Sequence, residues 1–206
     1  MNELIKPVSD IAFERLLKVL ETVMVLSVQF KLELRRMLYE TRYEKDARIL
    51  NFGGTQQVVW FILSGLLREI RINKVTLKEK TCWYWLPGSF VYTDPGYFGQ
   101  QPSLRAIQAE ADCDLILMSY EDWLVLKAAF VEVEVITERI RGDYSQLRFE
   151  HMEDMKLLSV DERYLDLEAT LDYLFLRTQL NYIADFMGMA PATLGRLRSK
   201  YYDRMR

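Results

Sequence analysis

The sequence LNYIADFMGMAPATLGRLRSK, residues 180–200, has the spacing of two short helices joined by a tight turn. Apolar side chains recur every three or four residues in each half, which is the period of a helix with one buried face. Gly188 suits the left-handed conformation that ends a helix, and Pro191 suits the first position of a second helix. A small residue, Ala184, lets the two helices cross closely. Together these features predict a helix-turn-helix, although helix pairs in general share parts of the pattern.

The second helix of this pair carries a basic outer face. Thr193, Arg196 and Lys200 lie at i, i+3 and i+7 and therefore share one side. Arg and Lys side chains that follow a helix N-terminus suit phosphates and guanine edges. The residues that we predict to contact DNA are Thr193, Arg196, Arg198, Ser199 and Lys200, with Arg204 and Arg206 on the flanks. The alternative is a solvated basic face on an ordinary helix.

Charge is unevenly distributed along the chain. Residues 177–206 carry six basic and two acidic side chains, a net charge of +4, within a protein of net charge -3. The preceding 176 residues are therefore acidic, with a net charge of -7. An acidic body with a basic end indicates that only the end meets a polyanion.

Composition excludes several classes of function. The 206 residues are 50% hydrophobic and 28% charged, which is typical of a globular protein with one large domain or two small ones. No apolar run could cross a bilayer and no signal peptide begins the chain, so we expect a cytoplasmic protein without a membrane partner. Two separated cysteines, Cys82 and Cys113, and a single histidine, His151, favour neither a metal site nor a disulfide framework. No GxGxxG, Walker-type or GxSxG motif occurs, and we predict that the chain is not an enzyme.

Before the helix-turn-helix, the chain divides into helical and strand-like stretches. Residues from about 8 to 40 follow a helical period, and β-branched and aromatic residues from about 42 predict short strands joined by tight turns. A loop-like segment, YTDPGYFGQQPS, separates this block from a second strand-like block at 104–119. A helix capped by Ser119 follows, and a further helix at about 160–175 begins with a capping box of Ser159 and Glu162.

A long helix is predicted from about 131 to 155, with apolar residues spaced close to a heptad seam. We interpret this seam as a dimer interface. The alternative is a helix that packs on its own domain. The predicted seam residues are Val133, Ile136, Ile140, Tyr144, Leu147 and His151.

The order of these parts resembles the Crp/Fnr family of transcription regulators, in its Bacteroidetes-type branch. WFILSGLLRE (60–69), with Gly65, looks like the family's β-roll strand and glycine turn, and LPGSFV (86–91) looks like the segment before its ligand cassette. QQPSLRAIQAEADCDLILMSYEDW (100–123) is similar to the motif that leads into the last strand of the roll. The stretch at 180–200 matches the family's helix-turn-helix and is the most specific part.

The resemblance implies an α+β fold: a cyclic-nucleotide-binding-like β-roll flanked by helices, a long dimerisation helix and a winged-helix-like DNA-binding domain. We expect the roll at 1–130, the dimerisation helix at 131–156 and the helix-turn-helix domain at 157–206. The implied partners are double-stranded DNA, a second copy of the chain and RNA polymerase. Since few residues follow the second helix, we expect the wing to be reduced or absent.

The ligand cassette departs from the family pattern. Cyclic-nucleotide-binding members use a Glu for the ribose and an Arg for the phosphate, but Thr93 and Ser103 stand at those positions. Arg105, two residues later, returns to the same strand face. The missing cation argues against cyclic AMP, since a buried phosphate needs one. The predicted effector pocket, for another small molecule or none, comprises Tyr92, Thr93, Asp94, Tyr97, Ser103 and Arg105.

The recognition helix also departs from the family pattern. The family's Arg-Glu-Thr-x-Gly-Arg corresponds here to Pro-Ala-Thr-Leu-Gly-Arg at 191–196. The carboxylate that would contact a cytosine is absent, so the operator should differ. We therefore predict a homodimeric, sequence-specific DNA-binding regulator with a degenerate effector pocket and no resident cofactor. The alternatives are a cyclic AMP receptor regulator, and a ligand-sensing or interaction module that no longer binds DNA.

Overall fold

The structure, a computed structural model, describes residues 5–202, apart from the side chain of Tyr202. Helices dominate its two ends and strands its middle. The helices are α1 Asp10–Leu20, α2 Val28–Arg36, α3 Gly96–Gly99, α4 Tyr120–Ala129, α5 Val131–Leu157, α6 Val160–Asp166, α7 Glu168–Phe175, α8 Leu180–Phe186 and α9 Pro191–Tyr202. The strands are β1 Lys6–Pro7, β2 Tyr39–Tyr43, β3 Arg48–Leu50, β4 Val58–Ser64, β5 Leu67–Ile72, β6 Glu79–Trp85, β7 Phe90–Val91, β8 Ala106–Ala109 and β9 Cys113–Ser119.

The strands form two antiparallel sheets that close into a roll. One sheet has the order β1-β2-β9-β4-β7 and the other the order β3-β8-β5-β6. Inward side chains of both sheets, such as Ile62 and Leu115 from the first and Leu67 and Ile107 from the second, share one core. This core continues into α1, α2, α4 and the first half of α5, so these helices cover the roll.

Gly65 lies where the chain passes from the first sheet to the second, between β4 and β5. Its φ is +98°, and a Cβ there would lie 2.4 Å from the carbonyl oxygen of Asp112 and 2.5 Å from Sγ of Cys113. Asp112 lies in the return crossing, between β8 and β9. The two crossings therefore touch at a position that only glycine fits, and this explains the glycine turn that the sequence predicted.

Serine N-caps set the starts of several helices. Ser9, Ser27, Ser119 and Ser159 each accept a hydrogen bond from a backbone N–H in the first turn of α1, α2, α4 and α6. The predicted capping box at Ser159 is present, because Glu162 also accepts from the Ser159 backbone. These caps satisfy N–H groups that a helix start otherwise leaves without a partner.

A second core joins the C-terminal helices to the roll. Leu66 and Tyr84 from the roll are buried in one cluster with Ile183 of α8 and Leu194 of α9. Polar contacts surround this cluster: the Tyr173 hydroxyl donates to the Gly65 carbonyl at 2.9 Å. The helix-turn-helix is thus docked on the second sheet through α7 and α8.

The predicted α+β architecture is confirmed, and the differences from the sequence prediction are local. The helix predicted at about 160–175 is two helices, α6 and α7, which meet at Leu167 (φ -97°, ψ 10°). The segment predicted as a loop at 92–103 contains the short helix α3. No glycine or proline marks the break at Leu167, so the pattern could not predict it. The described residues end with α9 at Tyr202, so the expected reduction or absence of the wing, and Arg204 and Arg206, lie outside them.

Candidate nucleic-acid interface and ligand cavity

The turn between α8 and α9 has the predicted geometry. Gly188 has a φ of +60°, and a Cβ there would lie 2.5 Å from Sδ of Met155. The N–H of Met189 donates to the carbonyl of Ala184 at 3.0 Å, which closes the end of α8. Pro191 is the first residue of α9. The turn therefore fixes the angle at which α9 leaves α8.

The outer face of α9 carries the predicted DNA contacts, and their environments differ. Arg196 is exposed, and within the described chain its guanidinium has no hydrogen-bonded carboxylate. Lys200 forms an ion pair with Asp161 of α6, and this contact lowers the pKa of the Asp161 carboxyl. Arg198 lies over the ring of Phe175 at 4.3 Å. Arg196 acts on Asp161 only through its charge, so it is the cation of this face that can meet a new partner without breaking a hydrogen bond, an ion pair or a ring contact among the described residues.

The two remaining predicted contacts are held locally. Thr193 is half-buried at the first turn of α9. The Ser199 hydroxyl donates to the carbonyl of Gly195 at 3.2 Å, one turn earlier. Among the described residues, neither side chain is hydrogen-bonded to another helix or strand.

A polar cavity of about 480 Å³ lies between the roll and α5. Four of the six predicted pocket residues line it: Tyr92, Thr93, Asp94 and Arg105. The backbone N–H of Thr93 donates to Oε1 of Gln56 at 2.8 Å, and its hydroxyl donates to the same oxygen at 3.1 Å. The hydroxyl of Thr93 is thus already engaged within the protein.

Tyr97 and Ser103 do not line this cavity. Tyr97 is fully buried among Phe98, Tyr120 and Trp123, and its hydroxyl donates to the carbonyl of Ser119 at 3.2 Å. Ser103 is buried and exchanges hydrogen bonds with the backbone of the residue two positions later. Helix α3 turns Tyr97 inward, and the sequence pattern, which treated this segment as a loop, could not predict that direction.

Sequence reasoning missed the central residue of the cavity, Glu69. Its side chain is 1% exposed and lies against two arginines, Arg105 at 2.9 Å and Arg148 of α5. The hydroxyl of Tyr144, also from α5, donates to its second oxygen at 3.2 Å. The available signal was the charged pair Arg68 and Glu69 at the end of the largely apolar run WFILSGLL, since a buried charge in a strand needs partners.

Cys82 lies beside this cluster as a neutral thiol. Nη1 of Arg105 lies 3.0 Å from its Sγ. Burial, together with the charge of Glu69, raises the pKa of the Cys82 thiol to about 11. Among the described residues, no group of three or more His, Cys, Asp or Glu side chains could hold a metal ion.

The predicted dimer seam on α5 faces the protein's own core. Val133 and Ile136 are buried, and Ile140 and Tyr144 pack against the first core. His151 stacks on Phe186, and of the six predicted residues only Leu147 is largely exposed. The predicted seam residues pack on the roll because α5 has two faces with apolar residues at heptad spacing, and the face with more large side chains covers the roll.

The second apolar face of α5 points outward. Val135, Gly142 and Phe149 recur every seven residues, and Val131 and Met152 lie beside them on the same side. The four side chains are exposed, and a Cβ on Gly142 would meet nothing within 4 Å. We call these five residues the outer stripe of α5. Glu138 and Ser145 complete its heptad positions and also line the polar cavity.

Comparisons with known proteins bear on the fold. No protein-family model matches the chain, and no curated protein sequence matches it. Among solved structures, FixK2 from Bradyrhizobium japonicum superposes with a TM-score of 0.70 at 17% identity, over 80% of this chain and 84% of that one. The c-di-GMP responsive global regulator CLP of Xanthomonas campestris gives a TM-score of 0.60 at 16% identity, over 86% and 93%.

The catabolite activator protein of Thermus thermophilus is also similar, with a TM-score of 0.52 at 18% identity, over 87% of this chain and 85% of that one. These neighbours are Crp/Fnr regulators with a cyclic-nucleotide-binding fold. The chain therefore has the fold of the Crp/Fnr regulators, a β-roll followed by a helix-turn-helix, as its sequence predicted. None of the described helices is both long and apolar enough to cross a membrane.

Proposed function

We propose that the chain is a homodimeric, sequence-specific DNA-binding transcription regulator of the Crp/Fnr type, working in the cytoplasm on promoters used by RNA polymerase. The observation that carries this proposal is the outer face of α9. It is solvent-facing, it follows a helix-turn-helix turn, and Arg196 stands on it without an ion-pair partner among the described residues.

The chemistry of this face suits a DNA major groove. A guanidinium donates two parallel hydrogen bonds to O6 and N7 of a guanine, and this pair identifies the base. We assign that role to Arg196, and phosphate contacts to Arg198 and Lys200; all three side chains are exposed on α9. Lys200 would exchange Asp161 for a phosphate oxygen. The exchange conserves its charge pairing and costs little at an exposed site.

The outer stripe of α5 is the surface that we assign to the dimer. Its four side chains are apolar and exposed, and Gly142 leaves room for a second helix to approach closely. Packing two stripes together would pair two copies of α9 so that each reads one half-site, about one turn of DNA apart. Since Glu138 and Ser145 occupy the heptad positions between the stripe residues and also line the cavity, the partner helix would lie beside the polar cavity.

The same cavity is a poor receptor for cyclic AMP. Arg105, the residue nearest the expected phosphate contact, donates to Glu69 at 2.9 Å. Thr93, at the position of the ribose-binding carboxylate, is bonded to Gln56. We therefore propose a degenerate effector pocket and no resident cofactor.

DNA binding is tested by selecting duplexes from a randomised pool and titrating the best one by fluorescence anisotropy over a series of salt concentrations. We expect the logarithm of the affinity to fall linearly with log salt, with a slope of about -0.9 for each phosphate contact. A scrambled duplex should bind roughly a thousandfold more weakly. Failure to bind any duplex at low salt would instead favour a ligand-sensing or interaction module. A thermal shift with cyclic AMP would favour a cyclic-nucleotide receptor.

A further inference from the structure

The cluster around Glu69 joins two elements that otherwise meet through apolar contacts. Glu69 on β5 and Arg105 before β8 belong to the roll, whereas Tyr144 and Arg148 belong to α5. All three partners converge on one carboxylate, with Arg105 on one oxygen, and Arg148 and the Tyr144 hydroxyl on the other. A single buried anion therefore adds an ionic link between the helix and the roll to their apolar packing.

The cations of the cluster are fixed in place. The Arg148 guanidinium lies over the ring of Tyr144 at 4.4 Å and over that of Trp83 at 5.2 Å. The ring of Tyr144 stacks in turn on Trp85, at 4.3 Å. Two guanidiniums at one carboxylate leave the cluster with a net positive charge. Without Glu69, these fixed and partly buried cations would face each other without a counter-ion.

The cluster opens onto the polar cavity, whose third arginine, Arg141, is also paired, while Asp94 in the same lining forms no ion pair among the described residues. Arg141 is 3.0 Å from Glu138 and lies over the ring of Phe98 at 5.0 Å. A small anion entering from solvent would have to displace Glu69 to reach Arg105 and Arg148. The cavity, at about 480 Å³, is large enough for such an anion beside the cluster.

We propose that Glu69 is a built-in anionic ligand of this cavity, which holds α5 against the roll so that no effector is needed. The inference rests on the proposed function, because the position of α5 would then affect DNA binding. Helix α5 carries the outer stripe that we assign to the dimer, and its His151 contacts α8 of the helix-turn-helix. Removing the carboxylate would turn the cavity into a receptor for a small anion, a carboxylate or a phosphate. Such a ligand would restore the bridge between Arg105 and Arg148.

The test is Glu69→Ala, with Asp94→Ala as the matched control, because Asp94 lines the same cavity but forms no ion pair with an arginine among the described residues. Thermal unfolding is measured with sodium acetate and with sodium chloride at equal ionic strength. We expect acetate to raise the Tm of Glu69→Ala by at least about 2 °C, and to leave the wild type and Asp94→Ala unchanged. An acetate effect equal in all three proteins, or absent from Glu69→Ala, overturns the inference.

DNA binding gives the second readout. Glu69→Ala should bind the selected duplex roughly tenfold more weakly than the wild type, and acetate should recover the loss. Unchanged DNA affinity in Glu69→Ala would refute the coupling to α5. If the wild type binds no DNA, the proposed function fails while the acetate-dependent Tm still decides whether the cavity takes an anion.

Arg148→Ala serves if Glu69→Ala does not fold. It leaves the contact between Glu69 and Arg105 within the roll and removes the link to α5. Hydrogen exchange around residues 141–150 should then be roughly tenfold faster or more, while exchange in β5 and β8 stays slow. Slow exchange throughout α5 would contradict the proposed bridge.

Discussion

The imidazole of His151 stacks on the ring of Phe186, with the ring centroids 4.4 Å apart and the planes 10° apart. Nε2 of the same histidine lies 3.1 Å from the carbonyl oxygen of Phe186, to which it donates. The contact joins the last third of α5 to the end of α8, and so joins the helix beside the cavity to the helix-turn-helix.

This contact predicts a pH dependence of stability. Burial lowers the pKa of His151; the hydrogen bond to Phe186 and the charge of Asp154 oppose the shift, while Arg163 and Arg148 add to it. The pKa of His151 is therefore lower in the folded than in the unfolded protein. The stability that the neutral imidazole contributes is complete above the usual pKa of 6.5 and is lost as the pH falls below that value. The measurement is the free energy of unfolding in urea from about pH 8 to about pH 5.

His151→Phe is the control for this titration, since it keeps a ring against Phe186 and removes the ionisable group. The difference in stability between the wild type and this variant should shrink or reverse towards acid pH. Parallel curves for the two proteins would show that the titration belongs to other groups.

Arg196→Ala should weaken binding to the selected duplex by about 1–3 kcal/mol, because a guanidinium that identifies a guanine is lost. Arg36→Ala is the matched control: it removes the same charge from an exposed position on α2, far along the chain from α9. Titration of both variants at one salt concentration checks the prediction. Equal losses in the two variants would mean that only net charge matters.

Phe149→Glu should dissociate the proposed dimer, weakening self-association by roughly tenfold or more. In a symmetric pair of α5 helices, the substitution would place two like charges in an apolar contact. Leu147→Glu is the matched control, since Leu147 is 54% exposed and Phe149 is 52% exposed, but on different sides of the helix. Sedimentation equilibrium distinguishes the two, and dissociation by Leu147→Glu alone would favour the seam first predicted from the sequence.

Glu110→Ala should destabilise the fold by about 3–5 kcal/mol, since it leaves a buried cation without its carboxylate. Arg68 and Glu110 are 2.5 Å apart, and their side chains are 3% and 4% exposed. The other oxygen of Glu110 accepts from the hydroxyl of Thr178 at 2.5 Å, just before α8. Asp143→Ala breaks an exposed pair with Arg139 and should cost only about 0.3–0.5 kcal/mol in the same urea unfolding measurement.

The parts that sequence predicted well depend on local rules. Ser159 caps α6, Gly188 ends α8 and Pro191 begins α9, because each residue acts on the backbone next to it. The long helix was predicted from its period for the same reason. Local signals of this kind are sufficient to identify the helix-turn-helix and its outer face.

The parts that sequence missed depend on contacts between distant residues. The period of α5 identifies its apolar positions but not which of its two faces covers the roll. For this reason the sequence alone places Val133 at a dimer interface, whereas the structure buries it against the roll. Glu69 acquires its role from Arg148, 79 residues later, and no local pattern connects them. Tyr97 was expected in the pocket, yet the turn of α3 directs it into the core.

The core shared by the roll and the helix-turn-helix limits which helix-turn-helix can be joined to this roll. Tyr84 packs its ring against Phe186 at 5.3 Å, and Arg68 lies 3.6 Å from the ring centre of Tyr182. A helix-turn-helix transplanted from a relative would bring a surface that does not fit Tyr84 and Arg68. The two halves therefore have to change together, whereas the exposed outer face of α9 can be substituted without disturbing this shared core.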